Sequence, residues 1–178
     1  MNIIETELEG VFEIKNKKFE DQRGVFIKTF HEGVFKEYGL EADFKESFFS
    51  ISKKDVLRGM HFQMPPHDHE KLVYVTCGEI LDVAVDIRED SLTYGQYFST
   101  ILSQENAKSL YIGKGYAHGF LTLSENATVV YLTSTVHSPE NDTGIHWDSF
   151  GFDWHVKKPI VSERDASFQK ISYAKIGS

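Results

Sequence analysis

Two short segments of the chain combine side chains that could move a proton beside a carbonyl group. Residues 58–63 carry an arginine and His61, ten positions before Lys71, and residues 115–120 carry His118. A histidine can take a proton from carbon, and a nearby cation can stabilise the oxyanion that forms. Both segments read as the ends of β-strands, so this chemistry requires a fold that brings those ends together.

Each candidate also has a simpler explanation. His61 could be a hydrogen-bonded histidine at a strand end, and Lys71 a solvated residue at a strand edge. His118 could be a satisfied core histidine, and Tyr131 a core or rim aromatic side chain. Asp165 would have a role in catalysis only if the chain folds back so that this carboxylate orients a histidine.

Three further side chains are candidates for ligand contacts. Tyr131 and His137 are six residues apart and would share a face if the strand stays regular. Arg23 and Arg58 could make bidentate contacts to a phosphate, with ordinary surface charge as the alternative.

The composition restricts the class of protein. A formal net charge of −8 argues against a general nucleic-acid binder, although a local cluster of arginine and lysine can still hold an anionic small molecule. Cys77 is the only cysteine, which excludes an internal disulfide and a cysteine-based zinc site. The 178 residues fit one domain, 1–178, without a linker or a repeat.

The first seven residues have no basic region and no long apolar stretch, unlike a secretory signal. No apolar run is long enough to span a bilayer. We therefore expect a soluble cytoplasmic protein that contacts neither membrane nor nucleic acid.

Hydrophobic patterns predict a mainly β fold. The clearest alternation is at 81–88, and residues 76–79 before it are typical of a hairpin turn. One helix is predicted at 31–38, ended by Gly39. Closely spaced short strands favour a jelly-roll-like β-barrel with short helices; they are predicted at 11–14, 25–30, 46–52, 71–75, 81–88, 97–102, 109–112, 119–123 and 128–134.

Taken in order, several segments resemble the dTDP-4-dehydrorhamnose 3,5-epimerase family, which is similar to metal-free cupins. The resemblance covers nearly the whole chain, and the matching segments are residues 21–26, 56–66, 71–73, 78–88, 91–95, 115–120, 144–147 and 162–165. It implies an isomerase that inverts carbon 3, carbon 5 or both in a nucleotide-linked 4-keto-6-deoxy sugar through an enolate, without a cofactor.

The resemblance also implies roles for individual residues. His61 matches the catalytic base, Asp165 its partner and Tyr131 the general acid, while Lys71 and His118 match groups that stabilise the enolate oxygen. The residues expected to contact substrate are Arg23, Phe26, Lys28, Glu46, Arg58, Gln63 and His137. The family forms homodimers whose exchanged N-terminal strands bring residues such as Arg23 and Lys28 into the partner's site.

The chain departs from the family at several of these positions. Lys28 stands where a glutamate usually accepts from the thymine ring N–H; a lysine donor suits a base with an acceptor nitrogen, such as cytosine. Glu46 and Phe48 replace glutamine and asparagine, and His137 replaces a tyrosine. A CDP-linked substrate or a single inverted carbon is one interpretation, and neutral drift in an ordinary dTDP enzyme is the other.

Two other functions remain open. A ketoisomerase could form the same enolate and move the carbonyl along the ring. A metal-dependent cupin oxygenase or sugar-binding module could use His67 and His69, with His118 as a third ligand. Metal-binding cupins usually have a glutamate four or five positions after this His-x-His pair, but Val73 and Tyr74 stand there. No metal is therefore expected.

Overall fold

The computed structural model describes residues 1–172, which form two large β-sheets, a separate hairpin and two short helices. The elements are β1 (Asn2–Glu5), β2 (Val11–Lys15), β3 (Lys17–Asp21), β4 (Gly24–Lys28), α1 (Glu32–Glu37), β5 (Glu46–Lys53), β6 (Leu57–Gln63), β7 (Lys71–Cys77), β8 (Glu79–Asp86), β9 (Tyr97–Ser103), β10 (Lys108–Ile112), β11 (Tyr116–Thr122), β12 (Asn126–Thr133), β13 (Asp142–Gly144) and α2 (Glu163–Ala166). The predicted mainly β fold with short helices is confirmed.

The two sheets share an apolar interior. One has the strand order β1-β2-β10-β7-β12-β5 and the other β13-β6-β11-β8-β9. Among residues 1–172, β3 and β4 pair only with each other. Val73 and Val129 of the first sheet belong to the same buried cluster as Ile80 and Phe120 of the second. This arrangement of antiparallel strands around one core is the predicted jelly-roll-type barrel.

Each sheet also buries part of its outer face. On the six-stranded sheet, Phe35 of α1 packs in one cluster with Ile14, Leu72 and Tyr111. His31 caps this helix by accepting from the Val34 N–H, and Tyr38 is the C-cap. The helix is therefore shorter than predicted by these two residues.

The outer face of the five-stranded sheet is covered by the C-terminal segment, residues 145–172. Phe150 and Trp154 of this segment pack in one cluster with Met60, Val83 and Val85. The alternation predicted at 81–88 is therefore real, but both faces of β8 are buried. Leu81, Val83 and Val85 face the C-terminal segment, which leaves the opposite face of the strand, with Asp82, directed into the barrel.

The hairpin predicted at 76–79 is wrong. β7 pairs with β10 and β12, whereas β8 pairs with β9 and β11, so the chain crosses from one sheet to the other here. Gly78 forms the corner with a φ of +78°, and a Cβ there would lie 2.1 Å from the carbonyl oxygen of Asn126. Only glycine fits this crossing without strain.

Neither helix within residues 1–172 has the length and apolar character needed to cross a membrane.

Candidate active site

Side chains from both sheets line a cavity of about 370 Å³ inside the barrel. Eight of the predicted site residues line it, namely Glu46, Arg58, Gln63, His61, Lys71, His118, Tyr131 and His137. A ninth, Asp165, lies behind His61. The remaining three, Arg23, Phe26 and Lys28, lie on the β3–β4 hairpin and do not line this cavity.

His61 and Asp165 form a dyad across the chain. Nε2 of His61 lies 2.8 Å from Oδ1 of Asp165, and the other carboxylate oxygen accepts from the Gly59 N–H at 3.0 Å. Asp165 is 4% exposed and sits in α2, whose N-cap, Ser162, accepts from its N–H. Burial alone would raise the pKa of the Asp165 carboxyl, but the hydrogen bond and charge of His61 and the Gly59 N–H hold that pKa below its usual range.

The ionised Asp165 fixes the tautomer of His61. A carboxylate only accepts hydrogen bonds, so Nε2 of neutral His61 carries the proton. The lone pair is then on Nδ1. This nitrogen is the one available to take a proton from a molecule in the cavity.

Close approach of two glycines sets His61 beside His118. Both histidines lie within strands rather than at strand ends as predicted, and they are direct register partners between β6 and β11. A bulge follows them, and a Cβ on Gly59 would lie 2.5 Å from Cα of Gly119. The bulge therefore requires glycine on both strands.

His118 is paired with an aspartate that the sequence-based search missed. Nε2 of His118 lies 2.8 Å from Oδ1 of Asp82, and both residues are buried. Asp82 is on β8 and is a diagonal neighbour of His118, whose direct partner is Ala84. With Nε2 bonded to Asp82, Nδ1 of His118 can donate a hydrogen bond only when the ring is protonated.

Lys71 is buried inside the barrel rather than solvated at a strand edge. It is 9% exposed, and Nζ donates to the carbonyl oxygen of His61 at 3.1 Å, which links the two sheets. Burial lowers the pKa of Lys71 to about 8, although the charges of Asp142 and Asp82 act in the opposite direction. A desolvated cation in a cavity is suited to hold a developing negative charge.

Tyr131 faces the same cavity from the six-stranded sheet. Its hydroxyl lies 3.4 Å from Oγ of Ser50, and its ring stands edge-on to His118 with centroids 6.2 Å apart. Burial raises the pKa of Tyr131 above its usual value, so the hydroxyl keeps its proton at neutral pH.

A shared strand face for Tyr131 and His137 was expected if the strand stayed regular, but β12 ends at Thr133 and His137 lies in the loop after it. His137 is exposed, its N–H donates to Oε2 of Glu46 at 2.6 Å, and Nε2 lies 3.2 Å from Oδ2 of Asp142. The two residues still meet at the cavity because the loop after β12 folds back over it.

Two arginines line the cavity. Nε of Arg58 donates to Oγ of Ser52 at 2.9 Å, and Arg164 pairs with Asp142 at 2.8 Å. Arg164 was missed, although it directly precedes Asp165 in a segment that matches the family. Gln63 is buried and donates to the His67 carbonyl oxygen, so its amide ties loops together at the cavity wall.

The candidate metal ligands do not assemble as a site. Within residues 1–172 no group of three or more histidine, cysteine or acidic side chains could hold a metal ion. Nδ1 of His69 faces the Gln63 amide nitrogen at 3.1 Å. Burial, reinforced by the charge of Lys71, lowers the pKa of His69 to about 3, so this ring is neutral.

Comparison with known proteins identifies the family. The family model described as dTDP-4-dehydrorhamnose 3,5-epimerase matches residues 5–172. A protein of that name from Shigella flexneri is 42% identical over 174 residues, which cover 96% of each chain. One from Methanothermobacter thermautotrophicus is 42% identical over 94% of this chain and 93% of its own.

The chain belongs to the dTDP-4-dehydrorhamnose 3,5-epimerase family. The predicted resemblance, the enzyme class of carbohydrate epimerase and the cupin-type fold are confirmed. The structure of a family member from Legionella pneumophila, in complex with dTDP-4-keto-L-rhamnose, superposes with a TM-score of 0.92 at 37% identity and covers 98% of this chain and 95% of its own.

The tautomer of His61 leads to a sharp test of the dyad in this family member. In Asp165→Asn the amide oxygen should keep the Gly59 N–H bond, which turns the amide NH₂ toward Nε2 of His61. The His61 proton then moves to Nδ1 and the base is lost. We expect kcat to fall by about 10³–10⁴-fold with the fold retained. The control is Asp153→Asn, at an exposed acid, and a fall of less than tenfold in Asp165→Asn would contradict the role.

The buried Lys71 leads to opposite effects on activity and stability. Because its pKa is near 8 when folded and near 10.4 when unfolded, the unfolded chain binds more protons between these values, and burial of the cation costs stability at neutral pH. Lys71→Met should therefore raise the free energy of unfolding at pH 7 by about 1–3 kcal/mol in urea titrations, yet lower kcat by about 10²–10³-fold.

The pH profile provides the matched control. In wild type, kcat/KM should fall as the pH rises through about 8, where Lys71 loses its charge. Lys71→Arg keeps its charge, so its alkaline limb should move to higher pH even if the rate is lower. An unchanged alkaline limb would assign it to another group.

Proposed function

We propose that the protein epimerises a dTDP-linked 4-keto-6-deoxy sugar at carbons 3 and 5, with His61 as the base and Tyr131 as the acid. One observation carries the proposal. His61 is on the five-stranded sheet and Tyr131 on the six-stranded sheet, and both line the same cavity. A sugar ring between them would lose a proton from one face and gain one on the other.

The first half of the reaction is removal of a proton next to the ketone. The carbonyl at carbon 4 acidifies the C–H bonds of carbons 3 and 5. Nδ1 of His61 takes one of these protons, and the electron pair of the C–H bond moves to the ketone oxygen as an enolate. Lys71 supplies positive charge to that oxygen, and His118, held by Asp82, lines the same cavity beside it.

The second half is return of a proton on the opposite face. The Tyr131 hydroxyl gives its proton to the carbon, and the enolate electrons form the new C–H bond. The centre is inverted, and solvent exchange restores both residues. Buried Tyr131 stays protonated until the enolate is present, which keeps it an acid rather than a second base.

The diphosphate is proposed to bind to Arg58 and Arg164, since guanidinium groups pair with phosphate through two N–H bonds. Both line the cavity that holds His61, and Asp142 fixes the direction of Arg164. Glu46 and His137 form the part of the wall next to Asp142.

The nucleobase is the finer part of the proposal. The Legionella relative holds dTDP-4-keto-L-rhamnose, which supports dTDP. Lys28 supports the alternative of a CDP-linked sugar. Its ammonium group is a hydrogen-bond donor, as is the ring N–H of thymine, whereas cytosine offers an acceptor nitrogen. Lys28 and Phe26 lie on the hairpin, and Phe26 is 60% exposed, so an exposed aromatic ring and a donor are available to a base.

Solvent exchange tests the function directly. The protein is incubated in D₂O with dTDP-4-keto-6-deoxyglucose or its CDP counterpart, and NMR follows deuterium and configuration at carbons 3 and 5. We expect labelling with inversion at both carbons of the dTDP sugar. Labelling of the CDP sugar alone would show that the substrate is CDP-linked. A carbonyl group moved to carbon 3 would indicate a ketoisomerase. No labelling of either would contradict the function.

We further propose a homodimer with exchanged N-terminal hairpins. The β3–β4 hairpin pairs with no other strand among residues 1–172, and exposes Phe19, Val25 and Phe26. Strand β5 is the edge of its sheet and exposes Phe49 and Ile51. An apolar hairpin and an apolar open edge are complementary surfaces. Such exchange would carry Arg23 and Lys28 to the partner's cavity.

Mixed subunits test the exchange. Arg23→Ala and Asp165→Asn should each be strongly impaired as homodimers. In a co-expressed heterodimer, one of the two cavities combines an intact Arg23 with an intact Asp165, so a statistical mixture should recover roughly a quarter of the wild-type activity. A monomer by size-exclusion chromatography with light scattering, or a mixture no more active than its parents, would contradict the exchange.

A further inference from the structure

Phe48 stacks on the proposed proton donor. It is the direct register partner of Tyr131 between β5 and β12, and the two rings lie 4.8 Å apart with an angle of 17°. Phe48 is 46% exposed, whereas Tyr131 is 9% exposed. Phe48 also lines the cavity. One face of the Phe48 ring therefore covers Tyr131, and much of the remaining ring surface is accessible.

Hydrogen bonding holds the Tyr131 hydroxyl only weakly. The contact to Oγ of Ser50 is 3.4 Å, longer than the 2.5–3.0 Å usual for two hydroxyl oxygens. The ring itself stacks on Phe48 and makes a T-shaped contact with His118. The position of the acidic proton is therefore set mainly by ring packing, which is a well-defined geometry for aromatic pairs.

We infer that Phe48 is a positioning residue for Tyr131. The Phe48 ring holds the plane of the ring of Tyr131, the proton donor, and shields it from water. The inference rests on the function proposed above. With Phe48 in place, the enolate receives its proton from Tyr131 on the face opposite His61. Without it, the tyrosine ring is free to tilt, and the enolate is protonated again by His61 on the original face.

The ratio of labelling to inversion measures this competition. His61 has an exposed side-chain fraction of 31%, so its abstracted proton can exchange with D₂O before it returns. In wild type we expect label and inversion to appear together. In Phe48→Ala we expect the inversion rate to fall about 10–100-fold, as for a misplaced catalytic group, while label without inversion accumulates because His61, Asp165 and Lys71 are intact.

Two further variants separate positioning from simple loss of packing. Phe48→Tyr keeps a ring that can stack and should restore the wild-type ratio. Phe48→Leu keeps apolar volume without a ring plane and should behave like Phe48→Ala, which covers the case in which alanine does not fold. Tyr38→Ala removes an exposed ring outside the cavity and should leave the ratio unchanged.

Two outcomes would overturn the inference. A folded Phe48→Ala or Phe48→Leu enzyme with the wild-type ratio would show that Tyr131 does not depend on the stacked ring. Wild-type protein that neither labels nor inverts the dTDP or CDP sugar would overturn the proposed function and this inference with it. The first outcome requires an active wild-type enzyme and the second is the absence of that activity, so the two failures are distinct.

Discussion

The hydrogen bond between His61 and Asp165 is the constraint on which the site depends. It joins positions 104 residues apart and connects a strand of the barrel to the C-terminal segment. The same carboxylate accepts from Gly59, so one buried side chain orders the strand backbone and sets the tautomer of the histidine. Geometry and acid–base character at this end of the cavity therefore have one origin.

The barrel interior holds charges that a core built only for stability would lack. Lys71, Asp82 and His118 are all buried between the sheets, and Oδ2 of Asp82 has no hydrogen-bond partner within residues 1–172. Buried charges of this kind usually lower stability relative to apolar residues. The apolar layers on both outer faces of the sheets offset that cost. Buried side chains that lower the stability of the fold are typical of a functional site.

Local patterns predicted most of the strands, because alternation and turn residues depend on near neighbours. The same local signal failed at Gly78, since a hairpin and a crossing between sheets both need glycine there. Asp82 was missed because its relation to His118 exists only once β8 pairs with β11. The shared face of Tyr131 and His137 required a strand that continues to residue 137, but β12 ends at Thr133.

Family resemblance found residues that no local pattern could assign. Asp165 is unremarkable in the sequence until α2 packs behind His61, and Lys71 resembles a surface lysine until its burial is known. Arg23, Phe26 and Lys28 remain apart from the cavity in a single chain. Under the proposed hairpin exchange these three residues act in the cavity of a second subunit, and neither a local sequence pattern nor the structure of one subunit contains that contact.

The C-terminal segment has two tasks that cannot be separated. Phe150 and Trp154 bury the outer face of the five-stranded sheet, and α2 in the same segment carries Asp165 to the back of His61. Partial detachment of this segment would release the histidine from its fixed tautomer while the strands remained paired. With His61 as the proposed base, activity is thus tied to a peripheral layer of the fold, and local unfolding of that layer would inactivate the enzyme while the barrel stayed folded.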